Sequence, residues 1–142
     1  MSKGKFITFE GIEACGKTTQ IDLLFSKIKA FGKKVHLLRE PGGTPLGEKI
    51  RELLLHDRSV YDMCPETELL LYTASRAQIV RSEIRPALEK GDWVICDRYF
   101  DSTSVYQGAA RKIPEDKVNY INQFAIDGLF PNMTFILDID SE

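Results

Sequence analysis

Four short apolar runs recur along the chain, and each is rich in β-branched or aromatic residues. Within each run the apolar residues are mostly consecutive rather than alternating with polar ones, which is typical of strands buried on both faces of a parallel sheet. We therefore predict four buried strands, in the segments KFITF (5–9), KVHLL (34–38), WVICD (93–97) and MTFILDI (133–139).

Helix-period patterns lie between these runs. Between Ile21 and Ile28 the apolar residues fall on one helix face, and Gly32 follows at the point where a helix would end. Proline near a helix start and glycine near its end mark the remaining candidates. Further helices are predicted after Pro45, from 65 to 91 with a kink before Pro86, and from 114 towards 128.

The alternation of strands and helices sets the expected fold class. It predicts an α/β fold in which a twisted parallel sheet is flanked by helices, with right-handed crossovers between strands. A chain of 142 residues fits one compact domain. We therefore expect a single domain over residues 1–142, and we find no internal repeat or linker composition that would divide it.

Composition restricts the classes of partner. Charged residues make up 28% of the chain and the formal net charge is -2, so the sequence gives no support to a nucleic-acid surface. No apolar segment approaches the ~20 residues of a membrane span. The cysteines Cys15, Cys64 and Cys96 are odd in number and lack metal-ligand spacing, which favours a reducing cytoplasm over a disulfide framework or a zinc site.

The segment GIEACGKT (11–18) fits the phosphate-binding pattern GxxxxGK[ST], and it lies between a predicted strand and a predicted helix. Glycines allow the backbone N–H groups to turn inward around a phosphate, and the helix adds its positive N-terminal end. Lys17 can reach the β- and γ-phosphates of a nucleotide, while Cys15 is most simply a small filler, with a redox role as the alternative. The predicted nucleotide site comprises Gly11, Ile12, Glu13, Ala14, Cys15, Gly16, Lys17 and Thr18.

In a protein with a phosphate loop, a carboxylate that helps to bind the metal ion is expected at the end of another buried strand. The segment WVICDR supplies Asp97 in that place, followed at once by Arg98. We therefore predict a Mg²⁺ site made by the Thr18 hydroxyl and the Asp97 carboxylate.

The absence of two motif types excludes some classes of phosphate-loop protein, and the arginines suggest what the acceptor is. The NKxD and DxxG strings of GTPases do not occur, and no basic stripe suggests a helicase, so small-molecule kinases remain. Arginine's planar fork suits phosphate, although a solvated surface role is the alternative for each arginine. An acceptor that is itself a phosphate is already ionised at neutral pH and needs no general base. The candidate clamps are Arg39, Arg51, Arg76 and Arg98.

Four motifs in order resemble the thymidylate kinase family, of the bacterial type: FEGIEACGKTTQ, LLREPGGTPLGEKIRELLL, LLLYTASRAQ and DRYFDSTSVYQG. The resemblance covers nearly the whole chain. It implies a P-loop fold like that of nucleoside monophosphate kinases, and phosphorylation of dTMP to dTDP with ATP and Mg²⁺ in dTTP synthesis. It also implies a homodimer, whereas the cytoplasmic location and the lack of a nucleic-acid or membrane partner are expected from the cysteines, charge and hydropathy.

The resemblance implies acceptor-side roles near the sugar and phosphate. Glu13 matches the loop carboxylate that contacts the sugar 3′-hydroxyl, and Pro41 lies near the base. Arg39 and Arg51 match arginines on the side of the acceptor phosphate. Arg98 matches the clamp on the transferred and acceptor phosphates, and with Lys17 and Asp97 it completes the implied catalytic set.

The resemblance also implies the contacts around the base. Tyr72 matches the aromatic residue that stacks on thymine, with a core aromatic as the alternative, and Arg76 on the same helix face matches the arginine that bonds the carbonyl edge. Phenylalanine is common in the family where this chain has Tyr72. Thr103 and Gln107 match base-side polar contacts, and Tyr106 matches the ring that crowds the sugar 2′ position and so favours deoxyribose.

In this family a further arginine contacts the transferring phosphate, and it is carried either by the phosphate loop or by a lid segment. The loop residues 12–15 of this chain include no arginine, so the chain resembles the class of these kinases in which the lid carries it. We expect the lid, the final strand and the C-terminal helices of the family to be absent from this chain, with Ser141 and Glu142 at the start of a further helix. A fragment of a longer enzyme is favoured over a naturally short protein. Binding of nucleotide with slow turnover is expected, since such an arginine can be worth ~10³ in rate.

Two other functions stay open from the sequence. One is a kinase for another small acceptor or nucleoside monophosphate. The other is a nucleotide-binding protein without catalysis. Assays of phosphoryl transfer with several monophosphates separate them.

Overall fold

The computed structural model describes residues 3–57 and 62–139, so the predicted helix start at Ser141 and Glu142 lies outside the described residues. Four parallel strands form one sheet in the order β2-β3-β1-β4. The four predicted strands are confirmed, with ends that shift by one or two residues. Their bounds are β1 Phe6–Gly11, β2 Val35–Arg39, β3 Trp93–Asp97 and β4 Met133–Leu137.

The two central strands, β1 and β3, carry the continuous apolar runs that are buried. Phe6, Val94 and Ile95 have 0% exposure, and the register pairs Phe6 with Val94. The same register places Phe9 beside Asp97, and Asp97 beside Arg39 on β2. The carboxyl ends of three strands therefore meet at one edge of the sheet, which is where ligands bind in open α/β sheets.

The expectation that all four strands are buried on both faces is wrong for β2 and β4. On β4, Met133 is 53% exposed and Ile136 is 73% exposed, and on β2 Leu37 is 44% exposed. Both strands lie at the edges of the described sheet. An apolar run predicts strand formation, but burial depends on which elements cover the strand, and that information is not local to the run.

In residues 3–57 and 62–139, six α-helices and two π-helical turns accompany the strands. The predicted helices are confirmed, and the predicted kink before Pro86 is a π-helical turn in which the Arg85 N–H donates to the Val80 carbonyl. Pro86 has no N–H to donate, so a widened turn accommodates it. The helices are α1 Lys17–Ala30, α2 Pro45–Leu55, α3 Pro65–Ile79, α4 Arg85–Glu89, α5 Phe100–Thr103 and α6 Glu115–Ile126, and the π-helical turns are Val80–Ile84 and Ser104–Ala109.

Helix α5 and the π-helical turn after it were not predicted. They carry the segment FDSTSVYQGA, in which polar residues interrupt the apolar positions and no helix period is visible. This segment follows β3 directly and lines the candidate site described below. Its conformation depends on tertiary contacts rather than on an apolar stripe.

Two apolar clusters hold the helices against the sheet. On one face, Ile21 and Ile28 of α1 pack with Phe9 of β1. On the other, Ile79 of α3 and Ile126 of α6 belong to a cluster that includes strand residues of β1 and β3. Each such side chain contributes roughly 1.5–3 kcal/mol when fully buried. None of the helices in the described ranges combines the length and hydropathy that a membrane span requires.

Candidate active site

The phosphate loop owes its shape to residues with positive φ. Gly11 has φ 144° and Gly16 has φ 91°, and Ala14 adopts φ 58° although it carries a Cβ. A Cβ at Gly11 would lie 2.7 Å from the Leu137 carbonyl oxygen and 2.9 Å from Cys15 Sγ. The loop therefore requires glycine at its first position, as the motif predicts.

Lys17 lies inside this loop and is only 8% exposed. Its Nζ donates to the carbonyl of Gly11 at 3.0 Å and to that of Ile12 at 2.8 Å. Gly16 precedes α1 without a side-chain cap, and the first turn of α1 has no acidic residue. The amides at the start of α1 are therefore open to an anion, with a cation beside them.

Asp97 ends β3 near the loop, and its Oδ1 is buried without a hydrogen-bond partner in the described residues. Asp97 and Thr18 both line a cavity of about 650 Å³. Within the described ranges no group of three or more His, Cys, Asp or Glu residues could hold a metal ion. A single carboxylate and a hydroxyl nevertheless fit Mg²⁺, which keeps several waters and takes its other ligands from substrate phosphates.

A second cavity, of about 290 Å³, lies between α2, α3 and α5, and we call it the acceptor cavity. It brings together nine of the ten residues that the family resemblance assigns to the acceptor. Glu10 and Asn122 do not line it, but both bond residues that do. The nine lining residues are Glu13, Pro41, Arg51, Tyr72, Arg76, Arg98, Thr103, Tyr106 and Gln107.

Arg39 is the predicted acceptor residue that does not line the acceptor cavity. Its Nη2 donates to Glu48 Oε2 at 2.9 Å, and both residues line the 650 Å³ cavity beside Thr18. Glu48 Oε1 also accepts from the Gly43 N–H at 2.9 Å, and the pKa of Glu48 is lowered, chiefly by this backbone hydrogen bond. The REPGG turn and the start of α2 therefore hold Arg39 on the side of the phosphate loop.

Arg98 lines the acceptor cavity and directly follows Asp97, which lines the 650 Å³ cavity. It adopts φ 70°, and its backbone N–H donates to the Phe9 carbonyl at 2.9 Å. Its Nη1 donates to Ser102 Oγ at 3.3 Å, and its guanidinium lies 5.7 Å from the centre of the Tyr106 ring. Arg51 adds a second cation, and it donates from Nη1 to the Pro41 carbonyl at 2.9 Å.

The inner end of the acceptor cavity is polar and almost closed to solvent. Arg76 is 2% exposed, Gln107 is 3% exposed and Thr103 is 1% exposed. Gln107 Nε2 donates to Glu68 Oε1 at 3.0 Å, whereas Thr103 Oγ1 is buried without a partner in the described residues. Tyr72 is half-buried beside them, and burial is the main reason why its pKa is raised.

Comparison with known proteins identifies the family. The family model described as thymidylate kinase matches residues 9–142. The thymidylate kinase of Caldanaerobacter subterraneus subsp. tengcongensis is 52% identical over 140 residues, which are 99% of this chain and 66% of that protein. The chain belongs to the thymidylate kinase family. A further relative, the thymidylate kinase of a Sulfurihydrogenibium species, is 51% identical over 142 residues, which are 98% of this chain and 68% of that protein.

A solved structure agrees with this assignment. The thymidylate kinase of Ehrlichia chaffeensis aligns with a TM-score of 0.87 and 41% identity, over 97% of this chain and 78% of that one. The predicted fold class, a parallel sheet flanked by helices as in P-loop nucleoside monophosphate kinases, is confirmed by this match. The chain spans about two thirds of the length of the curated thymidylate kinases that it matches.

Two buried acids of this thymidylate kinase family member were missed by sequence reasoning. Glu10 Oε1 accepts from the Tyr99 N–H at 2.8 Å, Glu10 Oε2 accepts from the Ser102 hydroxyl, and burial raises the pKa of Glu10. Glu40 Oε2 accepts from Arg76 Nε at 2.7 Å, while its Oε1 is buried without a partner in the described residues. Burial raises the pKa of Glu40 to about 7, against the lowering effect of Arg76.

A sequence signal for these two acids does exist. Each ends or directly follows a strand, in the segments FEG and REPGG. An acid in that position is a candidate for the site because strand ends meet at one edge. Asn122, which also contacts Arg76, has no such signal, because it is a single polar residue within the pattern of α6.

Proposed function

We propose that this chain is the phosphoryl-transfer core of a dTMP kinase, which converts ATP and dTMP into ADP and dTDP. The observation that carries the proposal is the acceptor cavity, which nine predicted acceptor residues line and which includes Glu13 of the phosphate loop. Many protein families contain the loop, whereas this cavity joins four separate motifs. Membership of the family supports the same reaction.

On the donor side, the loop amides and Lys17 would bind the β- and γ-phosphates of ATP. Lys17 Nζ contacts two loop carbonyls, so it is already held within the loop. The reaction is an in-line attack through a loose transition state, in which charge stabilisation and alignment supply most of the catalysis. Lys17 and Arg98 are the cations proposed to stabilise the transferring group.

Mg²⁺ is proposed to bind at Thr18 and Asp97, and it would supply neutralisation of charge on the phosphate oxygens. The buried, unpartnered Oδ1 of Asp97 supports this assignment, because such an oxygen is costly unless a ligand or water pairs with it. Thr18 lines the same cavity and is exposed to it.

On the acceptor side, the monophosphate of dTMP would lie near Arg98 and Arg51, with Arg39 closer to the donor. No histidine lines the described acceptor cavity. A phosphate nucleophile does not need one, because it is largely ionised at neutral pH, with a second pKa of about 6. The cavity chemistry therefore fits a monophosphate acceptor better than a neutral hydroxyl.

The base is proposed to lie at the closed end of the acceptor cavity. Tyr72 would stack on it, while Arg76, Thr103 and Gln107 offer hydrogen bonds around its edge. Tyr106 is proposed to crowd the sugar 2′ position and favour deoxyribose. Homodimer formation, implied by the family resemblance, and a cytoplasmic location, predicted from the cysteines, remain proposals.

A coupled kinase assay tests the function. The 142-residue chain is incubated with ATP, Mg²⁺ and one acceptor at a time, namely dTMP, dUMP, AMP or CMP, and ADP formation is recorded. We expect dTMP to give the highest kcat/KM. A preference for AMP or CMP would indicate a kinase for another acceptor, and ATP binding without transfer to any acceptor, also in a chain extended to the length of its relatives, would indicate a nucleotide-binding protein without catalysis.

A further inference from the structure

Arg76 is held at three points by three separate parts of the chain. Its Nε donates to Glu40 Oε2 at 2.7 Å, its Nη1 to Asn122 Oδ1 at 2.9 Å, and its Nη2 to the Tyr99 carbonyl at 3.1 Å. The guanidinium also lies 5.6 Å from the centre of the Tyr99 ring. A long side chain of this kind is flexible unless it is anchored, so these contacts fix its position.

The three anchors leave part of the guanidinium free for a ligand. Arginine carries five N–H donors. Among the described residues three are used by Glu40, Asn122 and Tyr99, so one remains on Nη1 and one on Nη2. Arg76 is 2% exposed and lines the acceptor cavity. A buried donor without a partner is costly, so a ligand atom that accepts from these N–H groups would bind favourably.

Asn122 makes its shortest hydrogen bond in the described residues with Arg76. It is 3% exposed and lies on the buried face of α6, with the apolar Val118, Ala125 and Ile126. A polar residue on such a face is costly unless it is hydrogen-bonded. Its Oδ1 accepts from Arg76, and its Nδ2 makes a longer contact with Ser104 Oγ at 3.4 Å. Asn122 does not line the acceptor cavity.

We propose that Asn122 is a positioning residue that, together with Glu40, orients the guanidinium of Arg76 so that its free N–H groups read a carbonyl on the pyrimidine base. This inference rests on the proposed function. Two N–H donors fit the carbonyl at C4 of thymine, and they do not fit the amino group that cytosine carries there. Asn122 therefore contributes to the preference for dTMP over dCMP without touching the substrate.

Two variants and one control test this role in the 142-residue chain. Asn122→Leu keeps a similar volume and removes the acceptor oxygen, whereas Asn122→Asp keeps an acceptor oxygen facing Arg76. Asn119→Leu is the control, since Asn119 lies on the same helix and is exposed. Calorimetry gives the Kd values of dTMP, dCMP and ATP, and thermal unfolding reports whether each variant is folded.

We expect Asn122→Leu to weaken dTMP binding roughly tenfold or more, because a displaced guanidinium leaves the buried carbonyl of the base without its hydrogen bonds. The ratio of dTMP to dCMP affinity should fall, while ATP affinity should stay within about twofold of wild type. Asn122→Asp should recover most of the dTMP affinity. Asn119→Leu should behave as wild type in all three measurements.

Other outcomes overturn the inference. If folded Asn122→Leu keeps the wild-type affinity and base preference, or loses dTMP and ATP affinity equally, Asn122 does not position Arg76. If Asn122→Leu does not fold, Asn122→Ser replaces it, and wild-type base preference in that variant has the same meaning. Wild-type protein that binds no dTMP refutes the proposed function itself, and this inference with it.

Discussion

In the phosphate loop, eight consecutive residues are proposed to supply the binding groups, and most of these groups are backbone amides. The acceptor cavity instead collects side chains from residues as far apart as Glu13 and Gln107. The loop depends on φ angles that only a few residue types adopt, whereas the cavity depends on buried hydrogen bonds between helices and strand ends. The same reaction therefore requires two kinds of precision, one local and one tertiary.

The largest effect is expected from Lys17→Ala, which removes the only cationic side chain of the loop residues 11–18. We expect kcat to fall by about 10²–10³, as for other groups that stabilise developing charge. The fold should survive, because within the described residues the hydrogen bonds of Lys17 Nζ go to loop atoms of Gly11, Ile12 and Cys15. The coupled assay and thermal unfolding are the measurements. The exposed Lys27→Ala on α1 is the control, and wild-type turnover in Lys17→Ala would remove the donor half of the proposal.

Gly11→Ala tests whether the loop depends on its backbone. The new methyl would meet the Leu137 carbonyl at 2.7 Å in a backbone conformation of φ 144°, so we expect a loss of at least about 2 kcal/mol in the free energy of unfolding. Gly32→Ala is the matched control, since φ is 72° there but no atom lies within 4 Å. Gly32→Ala should lower the free energy of unfolding by about 1 kcal/mol. Equal losses, measured by urea unfolding, would show that steric closeness to β4 does not matter.

Thr103→Val tests a side chain of the acceptor cavity that we expect to contribute to dTMP binding but not to the stability of the fold. Thr103 Oγ1 is buried without a partner in the described residues. Replacing it by a methyl group should change the free energy of unfolding by less than about 0.5 kcal/mol, or stabilise the fold. Binding of dTMP should weaken about fivefold to tenfold, which corresponds to roughly 1 kcal/mol. A clear loss of stability with unchanged dTMP affinity would contradict this assignment.

The smallest effect concerns pH and Glu40. Its pKa is raised to about 7 by burial, from an ordinary value of 4.5. Between these two values the folded protein binds more protons at this group than the unfolded chain does, so its contribution to stability decreases as pH rises through that window. Urea unfolding at pH 5.5 and 7.5 should therefore show a pH dependence that Glu40→Gln reduces, by on the order of 1 kcal/mol. An identical pH dependence in both proteins would mean that Glu40 is ionised throughout.

The sequence predicted the locally encoded parts well. The loop from Gly11 to Thr18 folds as its motif indicates, and Asp97 ends β3 at the same sheet edge. Apolar runs located all four strands, because strand formation is visible in the run itself. Family resemblance then grouped residues that the structure brings to one cavity.

What the sequence did not predict depends on contacts between distant elements. The exposure of β4 and the helical state of 100–109 are set by neighbouring elements, which no pattern in those segments describes. Arg39 donates to Glu48, and the position of Glu48 depends on where α2 begins. Asn122 contacts Arg76 across 46 positions of sequence, and a single polar residue on a helix gives no indication of its partner.

Glu10 bears on how the two proposed substrates are placed relative to each other. Its carboxylate joins the end of β1, where the phosphate loop begins, to Tyr99 and Ser102, where the acceptor cavity begins. In a reaction between two bound anions, the effective concentration of one phosphate at the other depends on how firmly their separation is held. Under the proposed function this buried side chain connects the donor site to the acceptor site, so we expect its length to bear on the effective molarity of the reacting groups rather than on the affinity for either nucleotide.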